Sequence, residues 1–130
     1  MTEQNTVIGW SLDRDSRHAL LERFPPAYAE AVADHVTLAS HLDSDAQPPA
    51  PAACRIIGRA DDGRGVEAMV VEIDGASARP DGGVFHITWS LDRAAGRRAV
   101  ESNSVIQSQG WAAFLEPVDV TVRPARFTSS

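Results

Sequence analysis

The sequence contains no lysine and only one cysteine, Cys54. All 12 basic residues are arginines, and the 18 acidic residues leave a net charge of −6. Such a chain is poorly suited to binding long nucleic acid, because that affinity depends on neutralising many phosphates. A small nucleotide or one RNA end is more compatible, since a local arginine cluster can still contact a phosphate. A lone cysteine excludes an internal disulfide, and no Cys/His cluster has the spacing of zinc ligands.

Long apolar runs are missing as well. Charged residues interrupt every apolar stretch within a few positions, so the sequence predicts no membrane-spanning segment. The first five residues lack the basic and apolar regions of a signal peptide. Together with the single cysteine, these features predict a cytoplasmic protein. At 130 residues, the chain is predicted to form one domain over residues 1–130.

One four-residue pattern occurs twice, at residues 35–38 (HVTL) and at residues 86–89 (HITW). Successive side chains of a strand point to opposite faces, so each copy places an imidazole and a hydroxyl opposite two apolar anchors. Adjacent strands of this kind would group two imidazoles and two hydroxyls around one centre. A single His-x-Thr is usually structural, but two copies in strand-like contexts are much rarer by chance. The pattern predicts acid–base chemistry on a phosphate, with His35, Thr37, His86 and Thr88 as catalytic residues.

Alternation and capping signals predict the elements around these motifs. A helix is predicted from a cap at Asp13 or Asp15 to about Phe24, where two prolines end it. A shorter helix is expected around residues 100–108, residues 28–33 fit either a helical turn or a loop, and 41–51 is predicted to be a loop. The predicted strands are 7–12, 34–40, 53–60, 66–73, 84–91 and 116–123.

This order of elements favours an α+β protein over the alternating pattern of a parallel sheet. The glycine-rich turn at residues 61–65 predicts a hairpin between two of the strands. Mainly antiparallel sheets with outer helices are therefore expected. The repeated motif indicates two pseudo-symmetric halves that meet at a central cleft, although the halves are not visibly similar outside the motif.

Two further residues are candidates for substrate binding. Trp10 offers a ring for stacking on a base, although the apolar alternation of its strand equally fits a buried face. Arg79 lies in a Gly/Pro loop before the second motif, where it is expected either to reach a phosphate or to remain solvated. His18, on the first helix, and His41, in the proline-rich loop, are expected to be surface residues.

At these residues the sequence resembles the 2H phosphoesterase superfamily, which is named for two His-x-Thr/Ser motifs on strands. More narrowly, it is similar to the cyclic phosphodiesterase domain of fungal and plant tRNA ligases and to bacterial 2′-5′ RNA ligase-like proteins. The chain is shorter than the bacterial proteins, carries no kinase or ligase domain, and has a bulkier residue than usual in Trp89. The similar segments are 9–13 (GWSLD), 24–26 (FPP), 34–38 (DHVTL), 79–82 (RPDG), 85–90 (FHITWS) and, more weakly, 100–103 (VESN).

The resemblance implies a two-lobed 2H phosphoesterase-like fold and a metal-independent 2′,3′-cyclic phosphodiesterase, active in RNA repair or nucleotide turnover without a cofactor. It implies that His35 protonates the leaving ribose oxygen, that His86 activates water, and that the two threonines hold the phosphate. The residues alone leave the order of the two histidines open. A separate RNA ligase or kinase is an expected partner.

A different class of function is also compatible with the sequence. The alternative is a non-catalytic module that binds a nucleotide or an RNA end on the same fold. The presence of both histidines and both threonines favours catalysis, because a degenerate binder would be expected to have lost one of them. The substrate stays open among a mononucleotide, an RNA end, a 2′-5′ linkage and a cyclic ADP-ribose derivative.

Overall fold

The computed structural model describes residues 4–128. Residues 1–3 and 129–130 lie outside this range, so the start of the segment that was predicted not to be a signal peptide is not described. The predicted α+β class is confirmed. The α-helices of this part of the chain are α1 (Arg14–Arg23) and α2 (Ser102–Gln109). The strands are β1 (Thr6–Leu12), β2 (Glu30–Ala31), β3 (His35–Leu42), β4 (Cys54–Asp61), β5 (Val66–Ile73), β6 (His86–Leu91), β7 (Ala112–Val120) and β8 (Val122–Thr128).

The described strands form a single sheet in the order β7-β4-β5-β6-β3-β1-β8, with the short β2 paired to β6. All of the pairings are antiparallel. Strands β7 and β8 lie at opposite edges of the sheet, yet only Thr121 separates them in the sequence. The sheet must therefore curl, so that its two edges approach at this corner. One curled sheet replaces the separate sheets that the sequence predicted.

The prediction of a single strand over residues 116–123 is wrong. The structure has two strands there, because the chain turns the corner at Thr121 and crosses from one sheet edge to the other. Each edge strand contains a proline, Pro117 in β7 and Pro124 in β8. An edge tolerates this residue because no neighbouring strand requires the missing N–H. The corner is held by the backbone N–H of Thr121, which donates to the Ser16 hydroxyl at 3.1 Å.

Helix α1 forms as predicted. The Asp13 carboxylate caps it by accepting from the Ser16 N–H at 3.2 Å, and the helix ends at Arg23, before the two prolines. The indole N–H of Trp89 donates to the Phe24 carbonyl at 2.9 Å, so the bulky residue of the second motif fixes the end of the helix. Residues 28–33 contain β2 rather than a helical turn. Neither α1 nor α2 is long and apolar enough to cross a membrane.

Two apolar clusters pack against opposite faces of the sheet, and β5 contributes alternate residues to each. Met69 and Val71 lie in the larger cluster, which includes Leu20 of α1. Val66, Ala68 and Val70 lie in the smaller one, which is completed by two residues of α2. The apolar anchors of the two motifs belong to the larger cluster. Strand alternation therefore turns the motif histidines and threonines away from α1, towards the side covered by α2.

Candidate active site

The two motifs lie on adjacent antiparallel strands. Strands β3 and β6 pair at one position, Val36 with Ile87, and both of these anchors are fully buried. In an antiparallel pair, residues on either side of a paired position face one another across the strands. The histidine of each motif therefore lies opposite the threonine of the other. Because the strands pair at only this position among the described residues, the space beside it opens into a cleft.

All four motif side chains line this cleft, which has a volume of about 470 Å³. Small-molecule sites typically have volumes of roughly 300–1,000 Å³. Arg79, Arg93 and Arg98 also line the cleft. His41 lines it too, and this residue is exposed, as expected. The lining holds three guanidinium groups and one carboxylate, that of Asp34, and two of the arginines are paired with carboxylates outside the lining, Arg79 with Asp81 and Arg93 with Glu30. This arrangement suits a small anionic ligand.

His86 lies in surroundings that favour its neutral form. His86 is only 9% exposed, and its Nδ1 lies 2.9 Å from the carbonyl oxygen of Val84. A carbonyl oxygen can only accept, so Nδ1 carries a proton, and in the neutral imidazole the lone pair is therefore on Nε2. Burial lowers the pKa of His86 below its ordinary value of 6.5, and the nearby positive charge of Arg79 lowers this pKa further. His86 is therefore suited to accept a proton through Nε2.

His35 is held differently from His86. Its side chain is about one-third exposed, and its Nδ1 lies 3.0 Å from Oδ2 of Asp34. The carboxylate accepts from Nδ1–H, which leaves Nε2 free, and the contact is charge-assisted when the imidazole is protonated. The ring also packs on Phe127 of β8, with a centroid separation of 4.6 Å. His35 is thus oriented by two residues that the sequence reasoning did not assign to the site.

The two threonine hydroxyls have unequal surroundings. Oγ1 of Thr88 lies 2.9 Å from Oγ of Ser102 and 3.4 Å from the carbonyl of Ala99. The hydroxyl of Thr37 makes no hydrogen bond with the residues that the structure describes and lines the cleft directly. A hydroxyl carries one proton and two lone pairs, so both threonines can donate to an anion in the cleft.

Arg79 is fixed at the wall of the cleft. Its Nε donates to Oδ1 of Asp81 at 2.9 Å, and its Nη2 donates to Oδ1 of Asn103 at 3.2 Å. The hydrogen bond from Arg79 also lowers the pKa of Asp81. Only 9% of the Arg79 side chain is exposed, so this residue is not a solvated loop arginine. Its guanidinium adds a fixed positive charge beside His86.

Trp10 does not line the cleft, and the prediction that it stacks on a base is wrong. The residue is 4% exposed, its indole N–H donates to the Ala50 carbonyl at 2.9 Å, and its ring packs edge-on against Phe85. Its strand face belongs to the core, which is the other outcome that the alternation allowed. The aromatic side chain in the cleft is Phe127. His18 is exposed on α1 beside Glu22, as expected.

Within residues 4–128, no group of three or more His, Cys, Asp or Glu side chains is arranged to hold a metal ion. The carboxylate in the lining, that of Asp34, instead accepts from His35. Comparisons of the chain with family models, with curated proteins and with solved structures find no match. The side chains of the cleft are therefore the evidence for what this protein does.

Proposed function

We propose that this protein is a metal-independent 2′,3′-cyclic phosphodiesterase of the 2H phosphoesterase type, acting on nucleotides or RNA ends. One observation carries the proposal: two His-x-Thr pairs line one cleft on either side of the buried Val36–Ile87 pair. Any antiparallel pair has a local two-fold relation about such a position. The pseudo-two-fold cleft expected for this superfamily requires the two motifs to be related in this way.

The reaction needs a base, an acid and stabilisation of the phosphoryl oxygens. Nε2 of neutral His86 takes a proton from water, and the water oxygen forms a bond to phosphorus. The bond from phosphorus to one ribose oxygen breaks, and Nε2–H of protonated His35 supplies the proton to that oxygen. The product is a phosphomonoester, and proton exchange with solvent restores both imidazoles. Each proton-transfer role is typically worth about 10²–10⁴ in rate.

Charge on the phosphoryl group is stabilised by donors that already surround the cleft. The hydroxyls of Thr37 and Thr88 donate to the non-bridging oxygens. Arg79 provides a positive charge whose position is set by Asp81 and Asn103. Donors fixed before the reaction begins contribute more than mobile ones, because no reorganisation is needed as charge develops.

The central test is turnover of 2′,3′-cyclic AMP in the presence of EDTA. H35A and H86A should each lower kcat by at least about 10², and the double variant should lose little more than either alone, because both act in one step. T37A and T88A should cost less, on the order of 10–10³. His18 is an exposed histidine outside the cleft, so H18A is the matched control and should retain the wild-type rate. A histidine variant within tenfold of wild type would remove that residue from the mechanism.

The pH profile and the chelator test the mechanism separately. The rate should fall on both the acid and the alkaline side, because one histidine must be neutral while the other is protonated. Activity should survive EDTA, because the proposed acid, base and anion donors all belong to the chain. Loss of activity in EDTA with recovery on adding a divalent ion would contradict the two-histidine mechanism. Nucleotide binding without turnover would favour the alternative, a non-catalytic binding module.

The substrate requires its own assay. Products should be resolved for four compounds: a 2′,3′-cyclic mononucleotide, an RNA with a 2′,3′-cyclic end, a 2′-5′ linked dinucleotide and a cyclic phosphate of ADP-ribose. Comparable kcat/KM for the first two would support action on nucleotides and RNA ends, whereas hydrolysis of only the third or fourth would contradict it. In RNA repair, a separate RNA ligase or kinase would have to act on the product.

A further inference from the structure

A serine beneath the cleft is in contact with one of its threonines. Ser102 begins α2, is 0% exposed and does not line the cleft. Its Oγ lies 2.9 Å from Oγ1 of Thr88, which is its one side-chain hydrogen-bond partner among the described residues. The next residue along the helix, Asn103, holds Arg79. Two successive residues of α2 therefore contact two different residues of the cleft.

The direction of the Ser102–Thr88 hydrogen bond follows from the available acceptors. If Thr88 donated to Ser102, the proton of the buried serine would have no acceptor, which is costly. If Ser102 donates to Thr88, the proton of Thr88 still has the carbonyl of Ala99 as acceptor. Only the second arrangement satisfies both protons. The distance from Thr88 to that carbonyl is 3.4 Å, which is long for an O–H···O bond, so the proton is held weakly.

We propose that Ser102 is a positioning residue for Thr88; this inference rests on the proposed function of the cleft. By donating to Thr88, Ser102 occupies one lone pair of that hydroxyl and leaves its proton available to the ligand. A non-bridging phosphate oxygen is a charged acceptor and replaces the distant Ala99 carbonyl when substrate binds. Donation from Ser102 also polarises the Thr88 O–H, which strengthens its bond to the phosphate.

A double-mutant cycle separates this role from a purely structural one. The variants are S102A, T88V and their combination, and T88V is chosen because valine keeps the branched shape of threonine while removing the hydroxyl. S102A should lower kcat/KM for 2′,3′-cyclic AMP by about three- to tenfold, as expected for one hydrogen bond. The same change in the T88V background should alter the rate by less than twofold. Ser104 is exposed on the same helix, so S104A is the control and should be neutral.

The limbs of the pH profile should not move in S102A, because neither histidine is touched. Equal losses from S102A with and without the Thr88 hydroxyl would overturn the inference, as would an unchanged rate in S102A. If S102A does not fold, judged by its circular dichroism, S102C replaces it in the cycle. The thiol is a weak donor of similar size and should give an intermediate loss that again disappears in the T88V background.

Binding of the product analogue 2′-AMP distinguishes failure of the inference from failure of the proposed function. If wild-type protein does not hydrolyse any cyclic phosphate, the proposed function fails, and the same cycle is then measured as the Kd for 2′-AMP by calorimetry. Weaker binding in S102A that disappears in the T88V background would support Ser102 as the residue that positions Thr88 for a phosphate. No coupling in binding, or no binding of 2′-AMP at all, would overturn it.

Discussion

Gly9 has no side chain and so allows the first motif strand to lie close to its neighbour β1. We expect the replacement of Gly9 to damage the cleft. Gly9 lies on β1 and pairs with Thr37 of β3. A β-carbon built at Gly9 would lie 2.0 Å from the carbonyl oxygen of Val36 and 3.0 Å from its carbonyl carbon. These atoms belong to the backbone, so rotation of a side chain cannot relieve the overlap. The variant G9A therefore requires the two strands to move apart.

The size of this movement follows from the distances. Real β-carbons are essentially never found within 3.0 Å of a non-bonded heavy atom, so β3 must shift by about 1 Å relative to β1. The shift is transmitted to His35 and Thr37, which flank Val36, while His86 remains on the other motif strand. Misplacement of a reacting group by about 1 Å can cost about 10² in rate. Overpacking of this kind also costs about 1–3 kcal/mol of stability.

The assay compares G9A with G63A. Gly63 lies in the β4–β5 turn with a φ of +68° and with nothing within 4 Å of an added β-carbon, so G63A should lose about 1 kcal/mol through backbone strain alone. Urea unfolding gives the free energy of unfolding of each variant, and hydrolysis of 2′,3′-cyclic AMP gives kcat. A large loss of kcat in G9A alone is expected. Wild-type rate and stability in G9A would refute the reasoning, and an equal loss of kcat in G63A would assign the effect to stability instead.

Further predictions concern buried ionisable groups. Burial lowers the pKa of His86 in the folded state, so protons bind preferentially to the unfolded chain. The free energy of unfolding of the wild-type protein should therefore fall as the pH drops below 6.5, and that of H86Q should fall by a smaller amount. Burial raises the pKa of Cys54 to about 12, so Ellman's reagent should label it only on unfolding, and labelling of the native protein within seconds would contradict this. The buried carboxylate of Glu67 accepts from Arg59 Nε and from the Ser90 hydroxyl, each at 2.6 Å. E67A should lower the free energy of unfolding in urea by about 3 kcal/mol, because both donors lose their acceptor. A loss below about 1 kcal/mol would show that these donors find other partners.

The sequence predicted those elements whose local signals agree with their tertiary surroundings. Strand β5 is an example, because its alternation matches two separate apolar clusters. The end strands could not be predicted in the same way. Strand β8 contains Pro124 and pairs with a strand more than 100 residues earlier, which no local pattern records. The corner at Thr121 is likewise set by the curl of the sheet rather than by a turn sequence.

In the candidate site, periodicity predicted which motif side chains share a face, but not which other residues surround them. The predicted strand 34–40 includes Asp34, and alternation would turn its carboxylate to the face opposite His35; β3 instead begins at His35, and the Asp34 carboxylate contacts the His35 ring. Phe127 enters the cleft from a strand that was not predicted. Trp10 shows the converse, because alternation placed it on a face without saying which face is buried. Assigning these residues required the pairing of strands that are distant in the sequence.

The pairing of β1 with β8 has a consequence for how the protein folds. It joins Thr6 to Thr128, the longest sequence separation of any strand pairing in the described chain. Contacts of this range form slowly, because the entropy of closing the intervening chain is lost before the contact contributes. Phe127 belongs to that pairing and packs on His35. We therefore expect the wall of the cleft that Phe127 provides to form late when the chain refolds.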